Sequence, residues 1–279
     1  MYRDIAIAMM GSDGDERALE FGLALAEHFD AKLLPMQVVE LPQPTYNAWE
    51  IMTDPRIEKV HDKLRHEAQE MADRAHAKIS QSQVSSSEVC LVEALYQTAW
   101  EAVAKECFAA DLIVVGRSGD PAAASRQAQG LASLLMQSGL PILIVPSQAP
   151  ASSMVPRKIV VAWHSSREAR RALNDALPLL HEVESVEMLS YDSDTDPKDP
   201  IRRHALIEHL ARHGVTAHST AQGSKGMDIA SLIFAHAKKT GADLVVAGAY
   251  GHSRFREWAF GGVTREMLLN APIPVLMSH

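Results

Sequence analysis

The stretch Ala110-Asp111-Leu112-Ile113-Val114-Val115-Gly116 recurs later in the chain as Ala242-Asp243-Leu244-Val245-Val246-Ala247-Gly248. Both stretches are continuous apolar runs that end in glycine, which is typical of a strand buried on both faces of a sheet. Such strands belong to parallel sheets whose connections are helices. The recurrence therefore predicts that the chain contains two copies of one strand-and-helix unit.

Two further pairs of segments support this repeat. The segment Ile5–Ser12 resembles Ile159–Ser166, and Leu140–Ile144 resembles Ile273–Met277. The offset between matched segments falls along the chain, so the first copy carries about 22 additional residues. We place them around Leu41–Val60, where three prolines and two aromatic residues favour a loop. Such a loop is either a lid over a binding site or a surface excursion packed by its own aromatic residues.

The repeat divides the chain into a unit at 1–146, a linker at 147–155 rich in Pro, Ser and Ala, and a unit at 156–279. Apolar residues at helical spacing follow Ile159–Trp163, and Ser165 or Ser166 is a candidate N-cap. Strands and helices alternate through both units. We therefore predict an α/β fold of two doubly wound parallel-sheet domains, whose ligands bind outside the carboxyl ends of the strands.

Composition excludes several classes of protein. The net charge is −8 and no basic run occurs, so the chain lacks the electrostatic signature of a nucleic-acid-binding protein. No apolar stretch approaches the roughly 18 residues of a membrane span, and we see no signal peptide. The two cysteines, Cys90 and Cys107, form no C-x-x-C motif, which favours a reducing, cytoplasmic location.

Charge is divided unevenly between the two units. Residues 1–150 hold 12 basic and 21 acidic side chains, whereas the remainder holds 15 basic and 14 acidic ones. The nearly neutral second unit should therefore tolerate an anionic ligand better than the first.

A glycine loop in the second unit is the main functional signal. Gly248 and Gly251 follow a predicted strand, and after nine further residues Gly261, Gly262 and Val263 lead into a helix that begins at Thr264. Glycines let the backbone approach a phosphate closely, and the N–H groups of a helix N-terminus attract it. The Thr264 hydroxyl would add a donor. The same spacing also fits a simple turn followed by a tight helix start.

The order of elements and this loop resemble a tandem universal stress protein, with two UspA-type domains covering nearly the whole chain. The resemblance implies a five-stranded parallel sheet of strand order 3-2-1-4-5 in each domain. It also implies an adenine nucleotide, ATP or AMP, whose phosphates lie on the glycine loop. In such proteins an Asp after the first strand contacts the ribose, and backbone at the end of the second strand contacts the adenine.

Carried onto this chain, the pattern matches at Gly248, Gly251 and Gly261. Gly262 stands where Ser or Thr is usual, and Thr264 would partly compensate. His164 replaces the ribose-binding Asp and could still donate a hydrogen bond.

Three other positions of the second unit follow from the same resemblance. Ser190 or Tyr191 falls at the adenine contact. His252 and Arg254 would either meet a phosphate or pair with acidic groups such as Glu257.

The first unit departs further from the pattern. Ten residues separate Gly119 from Gly130, and Met10 replaces the ribose-binding Asp. We therefore predict that the first unit binds nucleotide poorly or not at all, so that the chain binds one nucleotide at most.

Other chemistry has little support. The motifs of P-loop proteins, zinc proteases and nucleophile-elbow hydrolases are absent, so we expect no enzymatic activity beyond slow ATP hydrolysis. His209 and His213 are four residues apart on a predicted helix, a spacing that suits Zn²⁺. No third ligand is identifiable, which favours exposed helix histidines.

Two interpretations therefore remain. The chain is a cytosolic stress-response regulator with an adenine nucleotide in its second unit, or it is a degenerate scaffold that acts through protein contacts or another small ligand. The resemblance also implies that the final strands, Ile142–Val145 and Val275–Met277, pair edge to edge as an internal pseudo-dimer. A further homodimer is compatible with this arrangement.

Overall fold

A computed structural model of the chain describes residues 1–42, 55–150, 154–181, 183–191, 199–224, 226–250 and 262–279. The first repeat contains β1 (Asp4–Met9), α1 (Asp15–Phe29), β2 (Lys32–Glu40), α2 (Pro55–Ile79), β3 (Cys90–Ala94), α3 (Ala99–Glu106), β4 (Leu112–Arg117), α4 (Pro121–Gln137) and β5 (Ile142–Pro146). The second repeat contains β6 (Lys158–Ala162), α5 (Arg167–Leu180), β7 (Ser185–Tyr191), α6 (Asp199–Arg212), β8 (Ala217–Gln222), α7 (Ile229–Thr240), β9 (Leu244–Gly248), α8 (Gly262–Asn270) and β10 (Val275–Ser278).

The strands form one ten-stranded sheet in the order β3-β2-β1-β4-β5-β10-β9-β6-β7-β8. Each half has the order 3-2-1-4-5, and its strands are parallel. The predicted fold of two doubly wound five-stranded units is thereby confirmed. The two halves meet where β5 pairs antiparallel with β10, with Ile144 opposite Val275.

Apolar strands explain why this sheet is covered on both faces. Strands β4, β5 and β9 are buried almost throughout, as their continuous apolar runs require. Each face carries one large core cluster, and both clusters contain residues of both repeats. Hydrogen bonds also join the repeats, among them those from the Tyr2 hydroxyl to the Asp175 carbonyl at 2.6 Å and from Arg171 to the Gly139 carbonyl at 2.5 Å. The two repeats therefore pack together as one unit rather than as two separate domains.

Several helices begin at capping residues that can be read from the sequence. The Ser166 hydroxyl accepts a hydrogen bond from the Ala169 N–H at 3.1 Å, as predicted for this N-cap. Asp228 caps α7 in the same way, and Thr98 and Glu101 form a capping box on α3.

One predicted boundary needs correction. The loop expected over Leu41–Val60 ends earlier, because α2 begins at Pro55; residues 43–54, with Tyr46 and Trp49, lie outside the described part. Helix α2 has 25 residues and its counterpart α6 has 14, so much of the additional length of the first repeat is helix. The third strand begins at Cys90, and Ser86 before it makes only an isolated bridge to Leu33.

The expected linker begins as packed chain, since Ala149 is buried in the core. Among the helices of the described residues, none is long and apolar enough to cross a bilayer.

Candidate functional site

The sheet order reverses between β1 and β4 and again between β6 and β9. These are the points where the carboxyl ends of parallel strands open a crevice for ligands. In the second repeat, Ala162 of β6 is opposite both Ala247 of β9 and Leu189 of β7. His164, Gly248 and Tyr191 therefore leave the sheet at the same edge.

Gly248 has a packing role that the sequence does not reveal. A Cβ atom at this position would lie 2.4 Å from the Ala169 nitrogen, in the first turn of α5. Gly116 is equivalent in the first repeat, where a Cβ would lie 2.2 Å from the Gly14 carbonyl oxygen. Both glycines thus let a strand end touch the helix that follows the first strand of the repeat.

The glycine loop of the second repeat is described only at its two ends. Gly251, His252, Arg254 and Gly261 lie outside the described residues. On the near side, Tyr250 has a positive φ of 60°.

On the far side of the loop, Gly262 begins α8 and is exposed, and Val263 packs against the core. Thr264 is buried, and its hydroxyl oxygen accepts a hydrogen bond from the Tyr250 N–H at 3.2 Å. This bond ties the two ends of the loop together. Because a hydroxyl can donate one hydrogen bond while it accepts another, the Thr264 hydroxyl can accept from Tyr250 and still donate to a ligand.

The other predicted contacts have separate surroundings. His164 is exposed just after β6, and its carbonyl accepts from the Ser166 N–H at 2.6 Å. Tyr191 is half-buried at the end of β7, and its hydroxyl donates to the Leu232 carbonyl of α7 at 3.2 Å. Burial, and secondarily the charge of Glu187, raise the pKa of Tyr191. The Tyr191 hydroxyl therefore anchors the strand end to α7, which leaves its backbone as the group that could meet a ligand.

A half-buried polar network supports the same strand. The Glu187 carboxylate accepts from the Thr220 hydroxyl at 2.6 Å and lies 2.8 Å from Nε2 of His236. Burial alone would raise the Glu187 pKa, but the hydrogen bonds from His236 and Thr220 outweigh it and hold the pKa below its usual value.

We expect Glu187→Gln to lower the free energy of unfolding at pH 7 by about 1–2 kcal/mol, because charged hydrogen bonds are lost. A carboxyl whose pKa is depressed by folding stabilises the protein above its unfolded pKa, and this stabilisation fades as the pH falls. Urea titrations of the wild type and the variant should therefore diverge at pH 7 and converge progressively below about pH 4.5. An equal difference at pH 3 and pH 7 would contradict the role of the ionised carboxylate.

In the first repeat a helix replaces the expected loop. Gly130, which comes one residue too late for the glycine pattern, lies inside α4, which begins at Pro121. Asp120 caps this helix by accepting from the Ala123 N–H at 2.7 Å. A Cβ at Gly130 would lie 1.8 Å from Nε1 of Trp100, so this glycine makes room for the indole. Gly130 is therefore a packing residue and not part of a phosphate loop.

An open cavity of about 540 Å³ lies at the carboxyl ends of β1 and β2, between α3 and α4. Asp13 stands at its edge and accepts hydrogen bonds from the Ser118 hydroxyl at 2.5 Å and the Gly119 N–H at 3.0 Å. The bond from Ser118 is the main reason why the pKa of Asp13 is lowered. The Asp13 carboxylate thus occupies the Ser118 and Gly119 donors that a phosphate would need.

Sequence reasoning missed this cavity. Its members are distant along the chain, and Asp13 and Ser118 carry no recognisable motif. Another cavity, of about 360 Å³, lies at the amino-terminal edge near Lys158 and Pro274, away from the ligand-binding end of the sheet.

The histidines provide no described metal centre. The rings of His209 and His213 are in contact, with centroids 4.6 Å apart. Partial burial and the neighbouring His213 lower the pKa of His209. Within the ranges that the structure describes, no cluster of three or more His, Cys, Asp or Glu side chains could hold a metal ion.

Comparisons with known proteins agree with this geometry. The model of the Universal stress protein family matches residues 1–146 and again residues 156–279. A universal stress protein from Archaeoglobus fulgidus DSM 4304 aligns with a TM-score of 0.74 at 15% identity, over 99% of this chain and 95% of that one. A comparison with curated proteins finds no significant match.

Two other solved structures are also similar. A protein of Pseudomonas aeruginosa UCBPP-PA14 aligns with a TM-score of 0.57 at 17% identity, over 99% of this chain and 93% of that one. A protein from the universal stress protein family from Burkholderia pseudomallei is 28% identical over 52% of this chain and 96% of its own length, with a TM-score of 0.40. The Archaeoglobus and Pseudomonas structures cover nearly the whole chain at low identity, so their likeness establishes a shared fold and nothing more.

Proposed function

The chain belongs to the universal stress protein family, with one family domain in each repeat, and from this premise we propose that it is a cytoplasmic stress-response regulator that binds ATP or AMP in its second repeat. The observation that carries the proposal is the hydrogen bond between Thr264 and Tyr250, which brings the end of β9 and the start of α8 together. A helix N-terminus beside a strand end at the switch point is suited to an anion. His164 lies at the same edge and would contact the ribose or a phosphate.

The proposal assigns different roles to the two repeats. In the second repeat, Gly248, Gly251, Gly261 and Gly262 would frame the phosphates. In the first repeat, the Asp13 carboxylate already accepts from Ser118 and Gly119 and would repel a phosphate. The near-neutral charge of the second half of the chain also favours an anionic ligand there. The nucleotide would act by biasing the contacts of the protein with a partner, and slow hydrolysis would be incidental.

Calorimetric titration of the purified protein with ATP and with AMP tests the stoichiometry. We expect saturation at one nucleotide per chain. Denaturation of the purified protein should also release adenine nucleotide, which mass spectrometry would detect. Two sites of similar affinity would contradict the assignment, and no binding at saturating ATP would favour the alternative of a scaffold without nucleotide.

Variants locate the site. Thr264→Val should weaken ATP binding about tenfold or more, because the loop loses the bond that joins its ends and the phosphate loses a donor. Thr264→Ser keeps the hydroxyl and should restore affinity, which separates this effect from misfolding. Ser118→Ala in the first repeat is the matched control and should leave the ATP affinity unchanged.

A further inference from the structure

The cavity of the first repeat combines an apolar floor with a charged rim. Met10, Val38, Ala99 and Trp100 provide the floor, and the indole of Trp100 is held by its packing against Gly130. Glu40 and Arg126 belong to the rim. A volume of about 540 Å³ lies within the range of cavities that bind small molecules.

Several donors at this cavity are already occupied. The Ser118 hydroxyl and the Gly119 N–H donate to Asp13. The Ser118 N–H donates to the Gln127 side chain at 2.8 Å, and the Gln127 amide in turn donates to the Gly116 carbonyl at 3.4 Å. Asp120 accepts from the Ala123 N–H at the start of α4. A phosphate there would compete with Asp13 for the Ser118 and Gly119 donors and would face the Asp13 charge.

Two opposite charges on the rim are uncommitted. Glu40 is the last residue of β2, Arg126 lies in the second turn of α4, and both are exposed. In the part of the chain that the structure describes, neither side chain makes an ion pair or a hydrogen bond. Most other polar groups on the rim already have hydrogen-bond partners within the protein. These two charges would therefore decide which charged groups a ligand carries.

We propose that the first-repeat cavity binds a small zwitterion of the α-amino-acid class that carries an apolar or aromatic side chain. The ligand carboxylate pairs with Arg126, the ligand ammonium pairs with Glu40, and the side chain lies on Trp100 and Met10. A guanidinium suits a carboxylate because its donors form a planar fork. This site is independent of nucleotide binding in the second repeat.

The test uses the full chain and three free amino acids, L-phenylalanine, L-leucine and L-methionine. We expect at least one of them to bind once per chain with a Kd of roughly 0.1–1 mM, because both rim charges are exposed to water. Tryptophan fluorescence should change on binding, and Trp100→Phe should abolish that change while calorimetry still detects the ligand. Saturating ATP should leave the affinity for the amino acid unchanged.

Matched analogues test each end of the ligand. Phenethylamine lacks the carboxylate and N-acetyl-L-phenylalanine lacks the ammonium, so each should bind at least tenfold more weakly than L-phenylalanine if that is the ligand; the corresponding amine and N-acetyl derivative serve for leucine or methionine. Arg126→Gln should remove the discrimination against the amine, and Glu40→Gln should remove the discrimination against the N-acetyl compound. Arg74→Gln, an exposed arginine of α2, should change neither.

Three results would overturn the proposal. They are a lack of saturation by all three amino acids up to about 10 mM, binding that neither rim variant alters, and competitive displacement of the amino acid by ATP. The last result would instead assign the cavity to the nucleotide.

Discussion

Replacing Arg117 with alanine is expected to lower the free energy of unfolding by about 2–4 kcal/mol. Arg117 lies at the end of β4 in the first repeat, yet its guanidinium donates to the carbonyls of Leu269 and Ala271 at the far end of α8 in the second repeat. The last carbonyls of a helix have no partner within the helix and carry partial negative charge. Alanine would leave them uncapped and would remove a polar link between the repeats.

The surroundings of Arg117 make this bond costly to lose. The guanidinium is half-buried; burial lowers its pKa, and the nearby Asp13 partly offsets that effect. Urea denaturation measures the stability. Hydrogen exchange should in addition show faster exchange of the amides at 267–271 in the variant, because α8 frays from its carboxyl end.

Two other arginine variants serve as controls. Arg117→Lys keeps the charge but lacks the two-pronged donor geometry, so it should fall between the wild type and the alanine variant. Arg74→Ala, on the exposed face of α2, should stay within about 0.5 kcal/mol of the wild type. Equal stabilities of the Arg117 and Arg74 variants would show that the link between the repeats contributes nothing.

Replacing Gly248 with alanine is expected to cost about 3 kcal/mol or more. The new methyl group would lie 2.4 Å from the Ala169 nitrogen and 2.5 Å from the Glu168 carbonyl carbon. Both atoms belong to the backbone of α5, so the clash is relieved only if the helix moves. Such a movement would also displace His164 and the turn before α5, and we expect ATP binding to be lost together with stability.

Gly262→Ala is the matched control for this substitution. A Cβ at Gly262 meets no heavy atom within 4 Å, and its φ is not positive. Alanine at the start of α8 should therefore leave the stability unchanged or raise it by up to about 1 kcal/mol, because the unfolded chain loses freedom. Thermal unfolding of both variants checks the contrast, and a Gly248 variant as stable as the Gly262 variant would refute the close-packing role.

The two predictions concern residues whose roles differ in how far they can be read from the sequence. The buried strands were predictable because a strand covered on both faces needs a continuous apolar run, as Leu112–Val115 and Leu244–Ala247 have. The packing role of Gly248 against α5 was not predictable, because a glycine that makes room for a phosphate and one that makes room for a neighbouring helix look the same in a sequence. Only the distance to Ala169 separates the two roles.

The start of helix α4 carries a helix signal in the sequence, although the likeness between the two repeats points away from a helix there. Asp120 followed by Pro121 and three alanines is a typical N-cap and first helical turn. The likeness to the second repeat indicates a degenerate glycine loop in this part of the first repeat, and local helix preference prevails over that likeness. The cavity itself could not be predicted, because Asp13 and Ser118 are 105 residues apart and meet only in the folded chain.

The antiparallel seam between β5 and β10 has a consequence for how the two halves can differ. In a symmetric pair of identical chains, every substitution at the seam occurs twice, related by the two-fold axis. Here Leu143 faces Leu276 and Ile142 faces Met277 within one covalent chain, so each side can vary alone. The seam also does not come apart on dilution, because its two sides are tethered. Helix α4 can therefore form in the first half without the same structure being imposed on the second half, which frees the two ligand-binding edges to specialise independently.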